Sequence, residues 1–507
     1  MENNFLILSV LVFLPIIPAL LILSPIFPRS AVIVRRFTKW FAGIHFIYSY
    51  LFLLFFNPNA LALSFKNELL FFNTSWSKTM GISAYFALDG LSLILCILTT
   101  FIFFITLIIS KYSITIKHKF YYSLMLLLEG SILGIFCAKS MILMFLFLSL
   151  SVILLYFLIL NWGTSKKEAD KFLIFNFIGN MFILFGILIL YYYSFSSNGI
   201  LTDKIESLEF DELANPIWLQ ILAFSCFLLG FCTRLPLFPL HMFISKINET
   251  VPMPINILFP SVIFSIGIYG IIELNMQLFP TTFLSAALII MILAITGIIH
   301  CSLCAFIQKN IKQIIFYLST IFANFIILGL STVSIEGIKG AIFMTVSTAL
   351  AFTALYIISG IVYLRTKTLN IIELGGLSKK MTKLMYFAIP ICITLLGVPF
   401  LIMFPPEIMI ITGAFNTELL DEIPFQIAGI ITVFSLFLTA CAVLKFLHGI
   451  FFGNMLTKYS DIKDLNTSEF VSLLGITIPI LIFGIAPNLL INIYDSVVLV
   501  LMEILRI

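Results

Sequence analysis

The sequence has few charged residues. Asp, Glu, Lys and Arg make up 10% of its 507 residues and apolar residues 61%, whereas soluble domains carry about 25% charged residues. A soluble core could not hide so much apolar surface. A soluble enzyme, a nucleic-acid-binding protein and a disordered chain are therefore excluded. The net charge of +4 is too small to indicate a polyanionic partner.

The sequence also lacks the motifs of cofactor-binding domains. It has no Gly-x-Gly-x-x-Gly, no phosphate-binding loop and no Cys quartet, which excludes nucleotide, flavin and iron–sulfur sites of the usual kinds. All eight Cys residues fall in apolar runs. Cys301 and Cys304 have the spacing of a redox or zinc pair, but no second ligand pair accompanies them in the sequence. We therefore predict no metal site and no cofactor on this chain.

Long apolar runs dominate the sequence. A bilayer core of about 30 Å needs about 20 apolar residues per helix, and continuous runs, unlike alternating ones, indicate helices. The sequence predicts an all-α polytopic membrane protein with about 14 transmembrane helices. These lie near 5–24, 38–56, 86–110, 121–138, 141–161, 172–194, 217–236, 254–274, 281–305, 311–331, 340–362, 384–403, 425–452 and 470–490. The longest stretches between them, 57–84 and 195–216, are too short for a separate soluble domain.

The basic residues of the loops predict an orientation. Odd-numbered loops hold 20 of the 28 Lys and Arg residues. The positive-inside rule places these loops in the cytoplasm. We therefore expect a multi-pass protein of the bacterial inner (cell) membrane with both termini on the outer side.

Ionisable residues within the apolar runs are candidate functional residues, because each is costly to bury in lipid. Pro236 and Pro239 follow Arg234, and Glu407 follows Pro405 and Pro406. Two Pro-interrupted helices in the two halves of a chain are typical of inverted-repeat transporters. The alternatives are an Arg that extends to the membrane surface from a helix end and a Glu at an interfacial helix N-terminus.

Four further polar residues lie in or near the predicted spans. Glu129 lies in the middle of one, which favours a functional or a pairing role. Lys445 is interpreted either as extending to the membrane surface or as the partner of a buried acid. His300 is interpreted as a structural histidine, and Asp89 as a helix N-cap.

Several motifs resemble those of the antiporter-like subunits of respiratory complex I. They are Ile82-Ser-Ala-Tyr-Phe-Ala-Leu-Asp89-Gly90, Arg234-Leu-Pro-Leu-Phe-Pro-Leu-His241 with Pro252, Ile311-Lys312-Gln-Ile-Ile-Phe-Tyr317-Leu-Ser319, and Arg365 to Leu377 with Gly375-Gly376. The resemblance runs almost end to end. The length and the Trp162-Gly163 pair are most similar to chain M of NADH-quinone oxidoreductase. Mrp cation/proton antiporter subunits and membrane chains of inorganic-carbon uptake complexes are close cousins.

The resemblance implies two inverted five-helix repeats, each with one Pro-broken helix. The expected divisions are N-terminal helices over 1–120, a first repeat over 121–277, a second over 278–452, and a C-terminal loop and helix over 453–507. It also implies partners in a membrane arm, with quinone, FMN and iron–sulfur clusters expected on partner subunits. No redox active site is expected on this chain.

The sequence departs from the family at the positions implied to carry protons. Neutral residues replace a Glu, a Lys and two His, and an Arg replaces another Lys: Ser149, Ser265, Phe322, Thr348 and Arg234. Glu407 keeps the family residue, and Lys312 and His241 also match. Arg cannot give up its proton as a desolvated Lys can, so we predict an impaired or rerouted proton path. Candidates for that path are Glu407, Arg234, Glu129, Lys312, His241 and Lys445, with Glu129 as a hypothetical partner of Arg234.

The primary functional hypothesis is a chain M-like, proton-translocation-type subunit of a respiratory NADH-quinone oxidoreductase. One alternative is a subunit of an Mrp-type antiporter or inorganic-carbon uptake complex. The other is a non-conducting structural spacer in a membrane complex, which the lost ionisable positions favour over a free-standing transporter.

Overall fold

Helices form most of the computed structural model, which describes residues 2–54, 70–77, 79–198, 201–205, 217–417, 419 and 422–505. Apolar residues bury most of their surface between these helices, and the helices that face outward expose Leu, Ile and Phe, as expected of a lipid-facing surface. The helices are α1 Glu2–Phe13, α2 Ile16–Leu23, α3 Ala31–Leu51, α4 Gly90–Ser113, α5 His118–Cys137, α6 Met141–Trp162, α7 Lys166–Asn198, α8 Ile217–Cys232, α9 His241–Thr250, α10 Met253–Met276, α11 Pro280–Ile307, α12 Ile311–Ser331, α13 Ile335–Thr366, α14 Thr382–Thr394, α15 Phe404–Phe415, α16 Glu422–Phe451, α17 Thr467–Ile485 and α18 Asn488–Leu505.

The predicted membrane-protein fold is confirmed. Each of the predicted spans corresponds to one helix or to a pair of helices that share a break. Several helices run beyond the predicted apolar segment, as α7 and α13 do, because polar residues continue the helix past the apolar run. The division into two repeats stays a prediction, although each half does contain one Pro-broken helix.

The first predicted span is broken at Pro15. Proline has no N–H to donate to the carbonyl four residues earlier, so the carbonyl of Leu11 receives no bond from position 15. The helix divides there into α1 and α2. His45 on α3 takes over this acceptor, since its Nε2 lies 3.1 Å from the Leu11 oxygen. The break therefore leaves a free carbonyl within the membrane, and the imidazole of His45 forms a hydrogen bond with it.

A β-hairpin precedes α4, which corrects the all-helical expectation for this region. Strands β1 Leu70–Ser77 and β2 Ile82–Leu88 pair antiparallel, in a segment predicted to be loop and the start of a span. Gly81, with φ of +64°, lies in the turn. Because the apolar run of β2 continues directly into α4, its strand character could not be separated from that of the helix. The Asp203 carboxylate accepts hydrogen bonds from the backbone N–H and the hydroxyl of Ser83 and so holds β2 in place.

The C-terminal helix α18 is a second feature that sequence reasoning missed. Its central residue Tyr494 donates a hydrogen bond of 3.0 Å to the Lys339 carbonyl in the first turns of α13, and Lys339 pairs with Asp495. The backbone at Ile493 also abuts Gly90, the first residue of α4. The middle of α18 thus lies at the ends of two spanning helices. Although it is long and apolar enough to span a membrane, it lies across the ends of the bundle.

Candidate functional site

Arg234 lies in the break between α8 and α9. Its side chain is 2% exposed, so the interpretation as an Arg that extends to the surface is wrong. Pro236 and Pro239 cannot donate N–H groups, and the segment from 233 to 240 is not helical. One guanidinium nitrogen donates to the Gly230 carbonyl at 3.3 Å, and another donates to Asn180 Oδ1. In the described part of the chain, all recorded partners of this buried cation are neutral.

Asn180 connects Arg234 to the position of the lost family acid. Its Nδ2 lies 3.4 Å from the Ser149 hydroxyl, while its Oδ1 accepts from Arg234. An amide on α7 therefore occupies the region where the resemblance implies a Glu on α6 facing a Lys on α8. The amide dipole compensates a fixed cation, but neither Asn nor Ser can store a proton.

Glu129 pairs with His45 and not with Arg234, which corrects our hypothesis for this residue. Its Oε1 lies 2.7 Å from His45 Nδ1, and both side chains are completely buried. The pair joins α5 to α3. His45 was overlooked because a single His in an apolar run resembles any other span residue. The Pro15 break in the preceding span was the available signal.

The hydrogen bonds fix the proton count of this pair. His45 Nε2 faces a carbonyl, which only accepts, so Nε2 carries a proton. One further proton must lie between Nδ1 and Oε1 for their contact of 2.7 Å. If it is on nitrogen, the pair is an ion pair, and if it is on oxygen, the pair is neutral. In either case the net charge is zero, and the second carboxyl oxygen, Oε2, has no hydrogen-bond partner in the described ranges.

Glu407 lies in the break between α14 and α15. It is 4% exposed, and its Oε1 has no hydrogen-bond partner among the described residues. Its carboxylate rests against Gly397, where an added Cβ would lie 2.1 Å from Oε2. Gly397 also has φ of +65°. The interfacial interpretation of Glu407 is therefore wrong, and the two broken helices both bury an ionisable residue.

His241 begins α9, and Lys312 and Lys445 lie at helix ends. Among the residues that the structure describes, none forms a hydrogen bond with either ring nitrogen of the buried His241. Lys312 donates to the Val251 carbonyl at 2.6 Å, beyond the end of α9. Lys445 donates to the carbonyls of Phe306 and Gln308 at the end of α11. The two lysines thus satisfy free carbonyls at helix C-termini, and Lys445 is not paired with a buried acid.

At the remaining positions where the resemblance implies an ionisable residue, neutral side chains make neutral contacts. The hydroxyls of Ser265 and Thr348 bond to carbonyls of their own helices. The ring of Phe322 is completely buried and packs at centroid distances of 5.9 Å from Phe325 and 5.8 Å from Phe352. This aromatic cluster on α12 and α13 occupies the space where a titratable side chain is implied.

A buried ion cluster that sequence reasoning missed lies beside the hairpin. Lys139, between α5 and α6, contacts Asp89 at 2.8 Å and Glu273 at 2.5 Å. Asp89 also caps α4, as predicted. Burial alone would raise the pKa of Asp89, but the attraction of Lys139 outweighs it and brings this pKa below its usual value. Burial alone would lower the pKa of Lys139. The attraction of Asp89 and Glu273 outweighs burial and raises this pKa above its usual value. Asp89 and Lys139 therefore stay ionised at neutral pH.

Comparisons with known proteins agree with this architecture. Residues 138–439 match a family described as NADH:quinone oxidoreductase/Mrp antiporter, transmembrane. The chloroplastic NAD(P)H-quinone oxidoreductase chain 4 of Mesostigma viride is 28% identical, covering 97% of this chain and 96% of its own length. A chain of respiratory complex I from Thermus thermophilus with bound NADH superimposes with a TM-score of 0.84 at 22% identity, covering 98% of this chain and 99% of that one.

A chain of the Mrp complex from Dietzia sp. DQ12-45-1b has the same fold, with a TM-score of 0.84 at 14% identity over 98% of this chain and 97% of that chain. At these identities the superpositions establish the fold, while the family match covers more than half of the sequence. The chain therefore belongs to the NADH:quinone oxidoreductase/Mrp antiporter family of transmembrane proteins.

Proposed function

We propose that this chain is a chain 4-like (chain M-like) membrane-arm subunit of a complex I-type quinone oxidoreductase, with a rerouted proton path. A relative named as chain 4 aligns over almost the whole length. In this proposal, partner subunits carry the flavin, the iron–sulfur clusters and the quinone site. The chain spans the bacterial inner membrane many times, with both termini on the outer side, in accordance with the positive-inside rule.

The proposal that the proton path is rerouted rests on the neutral environment of Arg234. A guanidinium held by an amide and a carbonyl keeps its charge at every physiological pH. It can orient water and repel cations, but it cannot accept and release a proton in turn. The Asn180–Ser149 contact likewise offers no titratable group. The first half of the chain must therefore store protons elsewhere.

The His45–Glu129 pair supplies that capacity. In the described part of the first half, Glu129 is the carboxylate that lies in the middle of a spanning helix. The pair shares one proton between Nδ1 and Oε1, so loss of that proton leaves one negative charge, and protonation of Oε2 leaves one positive charge. In the second half, Glu407 is the corresponding store.

Proton translocation by the assembled complex tests this proposal. We expect Glu129→Gln to reduce proton uptake into inverted membrane vesicles during quinone reduction, with the complex still assembled. The matched control is Glu336→Gln, because Glu336 is exposed at the start of α13. Uptake that is equal in Glu129→Gln, Glu336→Gln and the unmodified complex would contradict the role of Glu129.

A non-conducting spacer is the second candidate function, and the buried Phe322 cluster favours it. A spacer requires that Glu129→Gln and Glu407→Ala both leave proton uptake unchanged in assembled complexes. It also predicts a gain of uptake when Ser149→Glu, Arg234→Lys and Ser265→Lys are combined. Loss of uptake in Glu407→Ala with intact assembly would exclude the spacer.

A further inference from the structure

Four side chains with metal-binding atoms meet between α9 and α11. Ligand atoms of His241, His300 and Cys301 all lie within 4.8 Å of one another. Cys304, one turn further along α11, places its Sγ 3.7 Å from His300 Nε2. Zinc bonds of about 2.0–2.3 Å in a tetrahedron place ligand atoms about 3.3–3.8 Å apart. A four-ligand site therefore requires the ligand atoms of His241, His300 and Cys301 to approach one another and Cys304 to turn toward them.

The surroundings of His241 in this cluster indicate a bound ligand. His241 is completely buried, and neither of its ring nitrogens has a hydrogen-bond partner within the described part of the chain. Buried polar atoms without a partner are rare and indicate a water molecule or an ion. The sequence alone did not reveal the site, because His241 lies about 60 positions before Cys301 and only the fold brings this first residue of α9 close to α11.

We propose that His241, His300, Cys301 and Cys304 form a binding site for a zinc-like divalent cation. Two thiolates and two neutral imidazoles neutralise the dication, so the filled site has no net charge, as a site within the membrane requires. Binding replaces two S–H bonds by two metal–sulfur bonds and releases two protons to the solvent. Cys304 and His300 are only partly buried.

The site would fix the half-helix α9 to α11. The inference rests on the geometry of these four residues and not on the proposed proton path, so the failure of one leaves the other standing.

Metal titration of the full-length chain in detergent tests the proposal. The reduced protein is stripped with a chelator and titrated with Co²⁺, whose absorption reports thiolate ligation and tetrahedral geometry, and Zn²⁺ is then added in competition. We expect one tetrahedral Co²⁺ per chain, displaced by Zn²⁺ with release of two protons. Cys301→Ser and His300→Ala should each weaken Zn²⁺ binding by more than about tenfold, the lower end of the loss seen when an outer-shell partner is removed.

Cys441→Ser and His448→Ala are the matched controls, because both residues lie on α16 outside the cluster. They should bind like the unmodified chain. Octahedral cobalt, less than one equivalent, or equal affinity in Cys301→Ser and Cys441→Ser would overturn the site.

If Cys301→Ser does not fold, alkylation of the unmodified chain decides the question. Zn²⁺ should slow labelling of Cys304 by N-ethylmaleimide and leave Cys441 unaffected. Equal protection of the two residues would overturn the proposal.

Discussion

At the scale of single residues, the ionisable side chains within the membrane differ in whether they can gain or lose a proton. Arg234 is held by neutral partners and stays charged. Glu129 and His45 share a proton, and Glu407 has an oxygen without a partner. Sequence reasoning found Arg234 and Glu407, since Pro residues mark their breaks. It missed His45 and Asn180, because which polar residues meet across helices depends on helix rotation and packing.

His45→Ala should destabilise the chain by about 1–3 kcal/mol, the usual cost of leaving buried hydrogen-bonding groups unpaired. The substitution removes the partner of the Leu11 carbonyl and of Glu129 Oε1. Thermal unfolding of the purified chain measures the effect. The control His448→Ala changes an exposed histidine and should melt like the unmodified chain. Identical midpoints for the two variants would show that the buried pair contributes nothing to stability.

Gly397→Ala should destabilise the α14–α15 break by about 1–3 kcal/mol, since a side chain at positive φ is strained. The new Cβ would also collide with the Glu407 carboxylate, 2.1 Å away. Gly475→Ala is the control, because the nearest atom to its new Cβ is 3.5 Å away. Thermal unfolding should separate the two variants. If Gly397→Ala is as stable as Gly475→Ala, the carboxylate is not confined by the break.

At the scale of elements, the Lys139 cluster holds the hairpin side of the bundle together. Lys139 lies between α5 and α6, Asp89 begins α4 and Glu273 lies near the end of α10. The apolar periodicity predicted these helices well, because each must bury its backbone polar groups within itself in lipid. The periodicity could not predict that β2 is a strand and that α18 does not span the membrane. The apolar residues of both segments fit a transmembrane helix equally well.

The pH dependence of stability should reveal this cluster. Asp89 has a lowered pKa, so its contribution is present above its unfolded value of about 3.9 and is lost as the pH falls through the folded value. Lys139 has a raised pKa, so its contribution is complete below about 10.4 and is lost as the pH rises through the folded value. Between these limits the Asp89–Lys139 pair should add no pH dependence to unfolding.

Lys139→Met removes the cation that the buried carboxylates of Asp89 and Glu273 share and should cost about 3–5 kcal/mol at neutral pH. Part of this loss should be recovered as the pH is lowered, because protonation of Asp89 removes its uncompensated charge. Unfolding midpoints measured from neutral to mildly acidic pH test both statements. The control is Lys339→Met, since its partner Asp495 is 40% exposed and such pairs contribute at most about 1 kcal/mol. If the stability of Lys139→Met does not recover at all as the pH is lowered, the assignment of Lys139 and Asp89 as a buried ion pair is contradicted.

At the scale of the whole molecule, β1–β2 and α18 cover one end of the bundle, beside the starts of α4 and α13. The proposed orientation places this end outside the cell. The loops with most basic residues then lie at the cytoplasmic end. The sequence predicted this polarity from charge alone. It could not predict the covering elements, since they are specified by contacts with helix ends far away in the chain.

Thiol labelling of intact bacterial cells tests the orientation. Thr79→Cys in the hairpin turn should react with a membrane-impermeant maleimide from outside, and Lys380→Cys should react only after the membrane is opened. Both positions are exposed, and the native cysteines are buried or partly buried, which keeps the background low. Labelling of Lys380→Cys in intact cells, with Thr79→Cys protected, would reverse the orientation.

The Asn180–Arg234 contact also bears on how the protein responds to voltage. A charge that crosses the whole bilayer changes its energy by about 2.3 kcal/mol per 100 mV, but a charge that neither moves nor titrates contributes no displacement current. Arg234 is such a charge. Under the proposed function, we expect a voltage dependence of proton transfer in the described first half to depend on the histidine–carboxylate pair on α3 and α5.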